Sequence, residues 1–235
     1  MLLTIDVGNS HTVLGLFDEK EIVEHWRIAT DARRTADEIA VVVQGLVSQR
    51  LAGDARVDGI ALCSTVPSVL HEMRDMCQRY YGGVHSVVVE PGVRTGVPVL
   101  TDNPKEVGTD RVVNALAAVD LVGGPCIVVD FGTATTFDAV SAKGEYLGGA
   151  IAPGIEISVE ALQAGILYGF AGQVDGVVTR MTAEIVGPDG DPDDVTVIAT
   201  GGLAPMVLDE SGVIDLHEPW LTLVGLRLVY ERNRP

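Results

Sequence analysis

The feature that most constrains this chain is a corner that occurs twice. Thr4-Ile5-Asp6-Val7-Gly8-Asn9-Ser10 and Val128-Val129-Asp130-Phe131-Gly132-Thr133-Ala134 each pass from an apolar stretch through Asp-x-Gly into a short polar turn. The matched aspartates stand 124 positions apart (130 less 6) in a chain of 235 residues. One Asp-x-Gly is a common turn signal. Two of them, each opening a set of three strand-like stretches, are the mark of a duplicated unit. The expected division is an N-terminal lobe over residues 1–115 and a C-terminal lobe over 116–235.

Apolar runs bounded by Gly and Asp alternate with helical periodicity along the rest of the chain, which is the pattern of an α/β protein. Residues 2–7, 12–17 and 22–28 read as an antiparallel meander, and 126–130, 135–140 and 145–151 as its repeat. Thr35 with Glu38 three residues on is a capping box, and Ile39, Val42, Val43, Leu46 and Val47 continue it at helical spacing. Further strands are expected over 57–63, 84–89 and 195–200. Further helices are expected from Pro67 to about residue 80, over 110–121, through most of the stretch before residue 194, and over 219–231. The acidic segment 187–194 reads as a surface loop.

Charge narrows the function. Lys and Arg number 16 against 33 Asp and Glu, a net charge of −17. A field of that sign repels nucleic acid and anionic lipid, so neither is an expected partner. No apolar run approaches the ~20 residues of a membrane span, and the start of the chain lacks a signal-peptide pattern. Three widely spaced cysteines, Cys63, Cys77 and Cys126, make neither a disulfide framework nor a zinc site; Cys63 and Cys126 read as core. A cytoplasmic setting is the expectation.

Chemistry is expected at three Gly-rich loops that follow apolar strands: Gly8-Asn9-Ser10, Gly132-Thr133-Ala134-Thr135 and Thr200-Gly201-Gly202. Glycine lets backbone N–H groups approach phosphate oxygens closely. Neither a P-loop nor a Gly-x-Gly-x-x-Gly crossover is present. Each hairpin instead carries a carboxylate, Asp6 or Asp130. A carboxylate beside phosphate requires a bridging cation, so the combination points to a metal-linked nucleotide.

These loops resemble those of the acetate kinase, sugar kinase, Hsp70 and actin superfamily. Within it, five motifs in order are similar to the type III pantothenate kinase family: Asp6-Val7-Gly8-Asn9-Ser10, Gly108-Thr109-Asp110-Arg111, Asp130-Phe131-Gly132-Thr133-Ala134-Thr135-Thr136, Pro153-Gly154 and Ala199-Thr200-Gly201-Gly202. The resemblance implies a duplicated actin-like (ribonuclease H-like) α/β fold of two lobes with mixed sheets and ATP in the cleft between them. It implies a cytoplasmic, homodimeric enzyme that phosphorylates pantothenate with ATP, the first step of coenzyme A biosynthesis. Asp6, Val7, Gly8, Asn9, Ser10, His11, Thr12 and Val13 would form the first phosphate loop, with Asp6 near Mg²⁺ and no separate role for His11. Gly108, Thr109, Asp110 and Arg111 would bind pantothenate, Arg111 pairing with its carboxylate and Asp110 taking the hydroxyl proton. Asp130 would hold potassium or ammonium. Thr133 would meet the ATP phosphates, and Gly201 and Gly202 the adenosine.

The residues alone also allow Asp110 to be a first-turn helix acid behind an N-capping Thr109. Two other functions fit the shared nucleotide motifs: a non-catalytic, Baf-like accessory protein, and a cytoskeletal assembly protein. One departure from the family is visible. The segment expected after Pro153-Gly154, with its Gly-Lys-Asn-Thr motif, is missing, and Leu162 runs straight into Gln163. An unbroken helix through this junction would enclose Gly165, so Leu162 and Gln163 are expected not to be neighbours in space.

Overall fold

The computed structural model describes residues 1–51, 55–154 and 163–234. The junction of Leu162 with Gln163 lies outside the described residues. The chain divides into two compact units, one formed by residues 1–96, 108–113 and 222–235, the other by 97–107 and 114–221.

In the first unit the three expected strands are β1 (Leu2–Val7), β2 (His11–Asp18) and β3 (Glu21–Ala29). They pair antiparallel, Asp6 opposite Val13 and Val13 opposite Arg27. β4 (Gly59–Ser64) then runs parallel to β1, and β5 (His85–Val88) parallel to β4. The sheet order is β3-β2-β1-β4-β5. Val57 was expected in β4 but precedes it, because β1 begins at Leu2, the ladder partner of Gly59.

Alternation decides which side of this sheet is core. Leu3, Ile5, Val7, Leu14, Leu16, Ile60 and Leu62 face α1 (Ala36–Arg50) and α2 (Pro67–Tyr80) and are fully buried with them. The Thr35 and Glu38 capping box forms as expected. The other side carries Thr4, Asp6, Gly15 and Cys63. There the last helix, α5 (Leu221–Asn233), comes so close that a Cβ at Gly15 would stand 2.8 Å from Leu223. The first turns of α3 (Thr109–Val122) pack beside it, with Gly225 against the Val113 backbone.

The second unit repeats the pattern with β6 (Cys126–Phe131), β7 (Ala134–Val140), β8 (Tyr146–Pro153), β9 (Thr196–Thr200) and β10 (Leu216–His217). Its order, β10-β9-β6-β7-β8, is the first sheet read from the other edge: an antiparallel meander, then a parallel strand on the far side of the meander's first strand. The duplication inferred from two corners is thus a duplication of topology. Helix α4 (Gln163–Val186) buries Ala171, Val174 and Val178 against Ile127, Val129 and Phe137. It stops at Val186, short of residue 194, because Gly187 follows with φ of 73° and ends the helix. A buried network joins β7 to β8: the Tyr146 hydroxyl donates to Asp138 at 2.7 Å and Thr136 donates to the other carboxylate oxygen at 3.1 Å. The three cysteines are free and buried.

Candidate functional site

In the first corner, the N–H of Gly8 donates to the carbonyl of His11 at 3.0 Å and closes the turn between β1 and β2. Asn9 is the exposed tip, Ser10, His11 and Val13 are half-buried, and Val7 and Thr12 are buried. Asp6 is the last polar residue of β1 before the turn, opposite Cys63 of β4. The Cys63 thiol donates to Asp6 Oδ1 at 3.3 Å. Desolvation pushes the Asp6 carboxyl up to about 7, and the charge of Asp110 adds to it, against the weak help of the thiol. Burial likewise drives the Cys63 thiol far above its ordinary range.

The charge of Asp110 acts on this carboxylate from the first turn of α3. Its own carboxyl is raised by burial, an effect opposed by the Arg111 backbone N–H and the Arg111 charge. Asp110 Oδ1 and the Thr109 hydroxyl are buried with no hydrogen-bond partner. The sequence allows Thr109 to be an N-cap. It is instead the first residue of the helix, and the carbonyl of Gly108 accepts from Val112 N at 3.3 Å. A side chain on Gly108 would collide with the Asp110 carboxylate. The motif therefore presents an acid whose free oxygen is kept clear of its own chain. Two desolvated carboxylates, one of which raises the other's affinity for a proton, also fit a divalent cation.

The second corner differs. The turn closes through Gly132 N on the carbonyl of Ala134 at 3.1 Å, with Thr133 exposed at its tip. Asp130 accepts from the Asn114 side-chain amide at 3.1 Å. Gly201, at φ of 90°, sits directly against this carboxylate: a Cβ there would stand 2.6 Å from Asp130 Oδ1 and from the Phe131 carbonyl. Gly202 beside it is exposed. Gly154 lies against the Thr133 backbone, which Pro153 reaches through its pairing with Ala134. Thus Asp130, Thr133, Pro153, Gly154 and Gly201 come together in the second unit, as Asp6, Gly8, Asp110 and Cys63 do in the first. Among the described residues no group of three His, Cys, Asp or Glu side chains is arranged to hold a metal, and no helix is long and apolar enough to cross a membrane.

A sequence model of the type III pantothenate kinases matches residues 2–164, more than half of the chain. The chain belongs to that family. The type III pantothenate kinase of Streptomyces avermitilis is 67% identical over 264 aligned positions, covering 99% of this chain and 98% of the relative. Since this chain has 235 residues, at least 29 of those positions (264 less 235) have no residue here. The family match ends at residue 164, beside the junction where the sequence departs from the family. Among solved structures, a Baf family protein from Campylobacter jejuni aligns with a TM-score of 0.59 at 15% identity over 98% of both chains. The ROK hexokinase of Thermus thermophilus aligns with 0.55 at 14% identity, over 98% of this chain and 97% of that one. Both likenesses concern the fold, the duplicated actin-like architecture of sugar kinases.

Two partners in the site escaped the sequence. Asn114 is a fully buried amide in the apolar run Val112-Val113-Asn114-Ala115-Leu116, and a polar residue in such a run is a signal that could have been read. Cys63 was read as core, and it is, but its bond to Asp6 depends on the β1–β4 register, which sequence does not reveal.

Proposed function

We propose that this chain transfers the γ-phosphoryl group of ATP to the primary hydroxyl of pantothenate, the opening step of coenzyme A synthesis. The observation that carries the reading is the Asp110 carboxylate, buried with one oxygen unpartnered, in a family member and beside a second acid. Phosphoryl transfer asks a protein chiefly for positioning, charge neutralisation and an acceptor for the hydroxyl proton. Asp110 Oδ1 is the acceptor. Burial raises its basicity, and the nearby Arg111 keeps it ionised while its charge offers a partner for the pantothenate carboxylate. Gly108 and Thr109 complete the substrate segment.

The backbone of the turn beyond Gly8, whose own N–H closes the turn on His11, holds phosphate oxygens together with the rest of residues 6–13. Thr133 adds a hydroxyl, and the bare backbone at Gly201 and Gly202 receives the adenosine. Mg²⁺, when carried by ATP, neutralises phosphate charge, and Asp6 is the side chain suited to hold it. Asp130, oriented by the neutral Asn114 amide, suits a monovalent cation, potassium or ammonium. The homodimeric state is supported by the exposed apolar Leu100, Leu147 and Ile151 of the second unit, and a cytoplasmic location by its three free thiols. The compact units differ from the expected lobes 1–115 and 116–235 in that residues 222–235 group with the first unit and 97–107 with the second. ADP release with and without pantothenate tests the reading: release that requires pantothenate is expected, and pantothenate-independent turnover overturns it.

A further inference from the structure

One row of residues crosses the first sheet on the side away from its core. Cys63, Asp6, Val13 and Arg27 are successive ladder partners on β4, β1, β2 and β3. Directly paired residues share a face, so Arg27 and Asp6 point to the same side. Their backbones are about 10 Å apart, two strand spacings of about 4.8 Å each. The Gly8-Asn9-Ser10 turn joins β1 to β2, the strand that lies between them.

Arg27 is tied to that turn. Its Nη2 donates to His11 Nδ1 at 2.8 Å. A guanidinium has no acceptor, so His11 Nδ1 carries the lone pair and the ring proton is on Nε2. The same strand end holds the neighbours of His11: Thr30 N donates to the Ser10 carbonyl at 3.0 Å, and the Thr30 and Thr12 hydroxyls pair at 2.9 Å. Among the described residues Arg27 has no ion pair, in a chain with twice as many acids as bases. The stretch Asp6 to Val13 contains neither lysine nor arginine. A polyphosphate held by this turn therefore meets two carboxylates and no cationic side chain from the turn itself. Arg27 is exposed and anchored at one end only, so the rest of its guanidinium fork remains available to an anion.

We infer that Arg27 is a phosphate-binding residue of the nucleotide site, paired with His11 and supplying the positive charge that the first phosphate loop lacks. The inference rests on the ATP site proposed above. The test compares wild type, R27Q and R27K by the KM for MgATP, the KM for pantothenate and the affinity for MgATP by calorimetry. Arg27 lies on an exposed edge strand, so both variants are expected to fold, as checked by their melting temperatures. R27Q is expected to raise the MgATP KM about tenfold, the size of one charge-assisted hydrogen bond, and to leave the pantothenate KM within about twofold. R27K is expected to fall between wild type and R27Q. An unchanged MgATP KM in R27Q, with normal pantothenate-dependent turnover in wild type, overturns the role of Arg27 alone. So does an R27K variant as impaired as R27Q, since the charge would then be irrelevant. If wild type shows no pantothenate-dependent turnover, it is the kinase reading that fails. Calorimetry then still decides on Arg27, by whether R27Q weakens MgATP binding.

Discussion

The two Asp-x-Gly corners share a topology and a turn, yet their carboxylates live in opposite surroundings. Asp6 meets a second acid, Asp110, and a weak thiol donor, and its carboxyl is pushed up to about 7. Asp130 meets the neutral amide of Asn114 and the bare backbone of Gly201. The first arrangement concentrates negative charge that only a proton or a cation relieves. The second offers a carboxylate oriented by a neutral amide. A duplicated fold has thus been given two different electrostatic surroundings by residues that lie outside the Asp-x-Gly corners: Cys63 and Asp110 for one, Asn114 and Gly201 for the other.

The largest effect expected from breaking this contrast is at Asp110. Asp110→Asn keeps the shape of the side chain but removes proton acceptance, and kcat should fall about 10²- to 10⁴-fold. Turnover within about threefold of wild type at saturating substrates would exclude Asp110 as the base. At the second corner, Asn114→Ala removes the group that orients Asp130. The concentration of potassium or ammonium needed for half-maximal activity should rise about 10- to 100-fold, with the magnesium requirement unchanged. Equal activity in a sodium-only buffer would remove the monovalent role of Asp130 altogether.

Smaller effects concern stability. The Asp6 carboxyl has a folded-state value of about 7 against an ordinary value of 3.8. The folded chain therefore holds a proton that the unfolded chain releases, and this contribution is greatest below the unfolded value and lost as pH rises through about 7. Asp6→Asn should melt a few degrees above wild type at pH 8 without ligands, and the gain should vanish toward pH 4. A gain independent of pH would mean that burial and the Asp110 charge do not raise the Asp6 carboxyl as described. The glycines give the mildest comparison. Gly201→Ala forces a side chain into a left-handed position against Asp130 and should cost about 1–3 kcal/mol. Gly8→Ala meets only the His11 carbonyl, at 3.1 Å, and should cost less in the same denaturant titration.

The alternation of strands and helices, the duplication and the loops that carry the chemistry are all legible in the residues alone. Each of these is a local signal: period-2 or period-3.6 apolar spacing, a capping box at Thr35 and Glu38, an Asp-x-Gly turn. The chain became assignable to one family because five motifs stand in a fixed order. What the tertiary structure decided is non-local. That α5, last in the chain, belongs to the first unit follows from bare positions at Gly15, Gly59 and Gly225 that admit Leu223, Tyr230 and the Val113 backbone, and no periodicity announces such a fit. That Asp6 shares a charged environment with Asp110, 104 positions away (110 less 6), and a row with Cys63 and Arg27 is set by strand register. Register depends on which faces must be buried together, so it exists only once the sheet has formed.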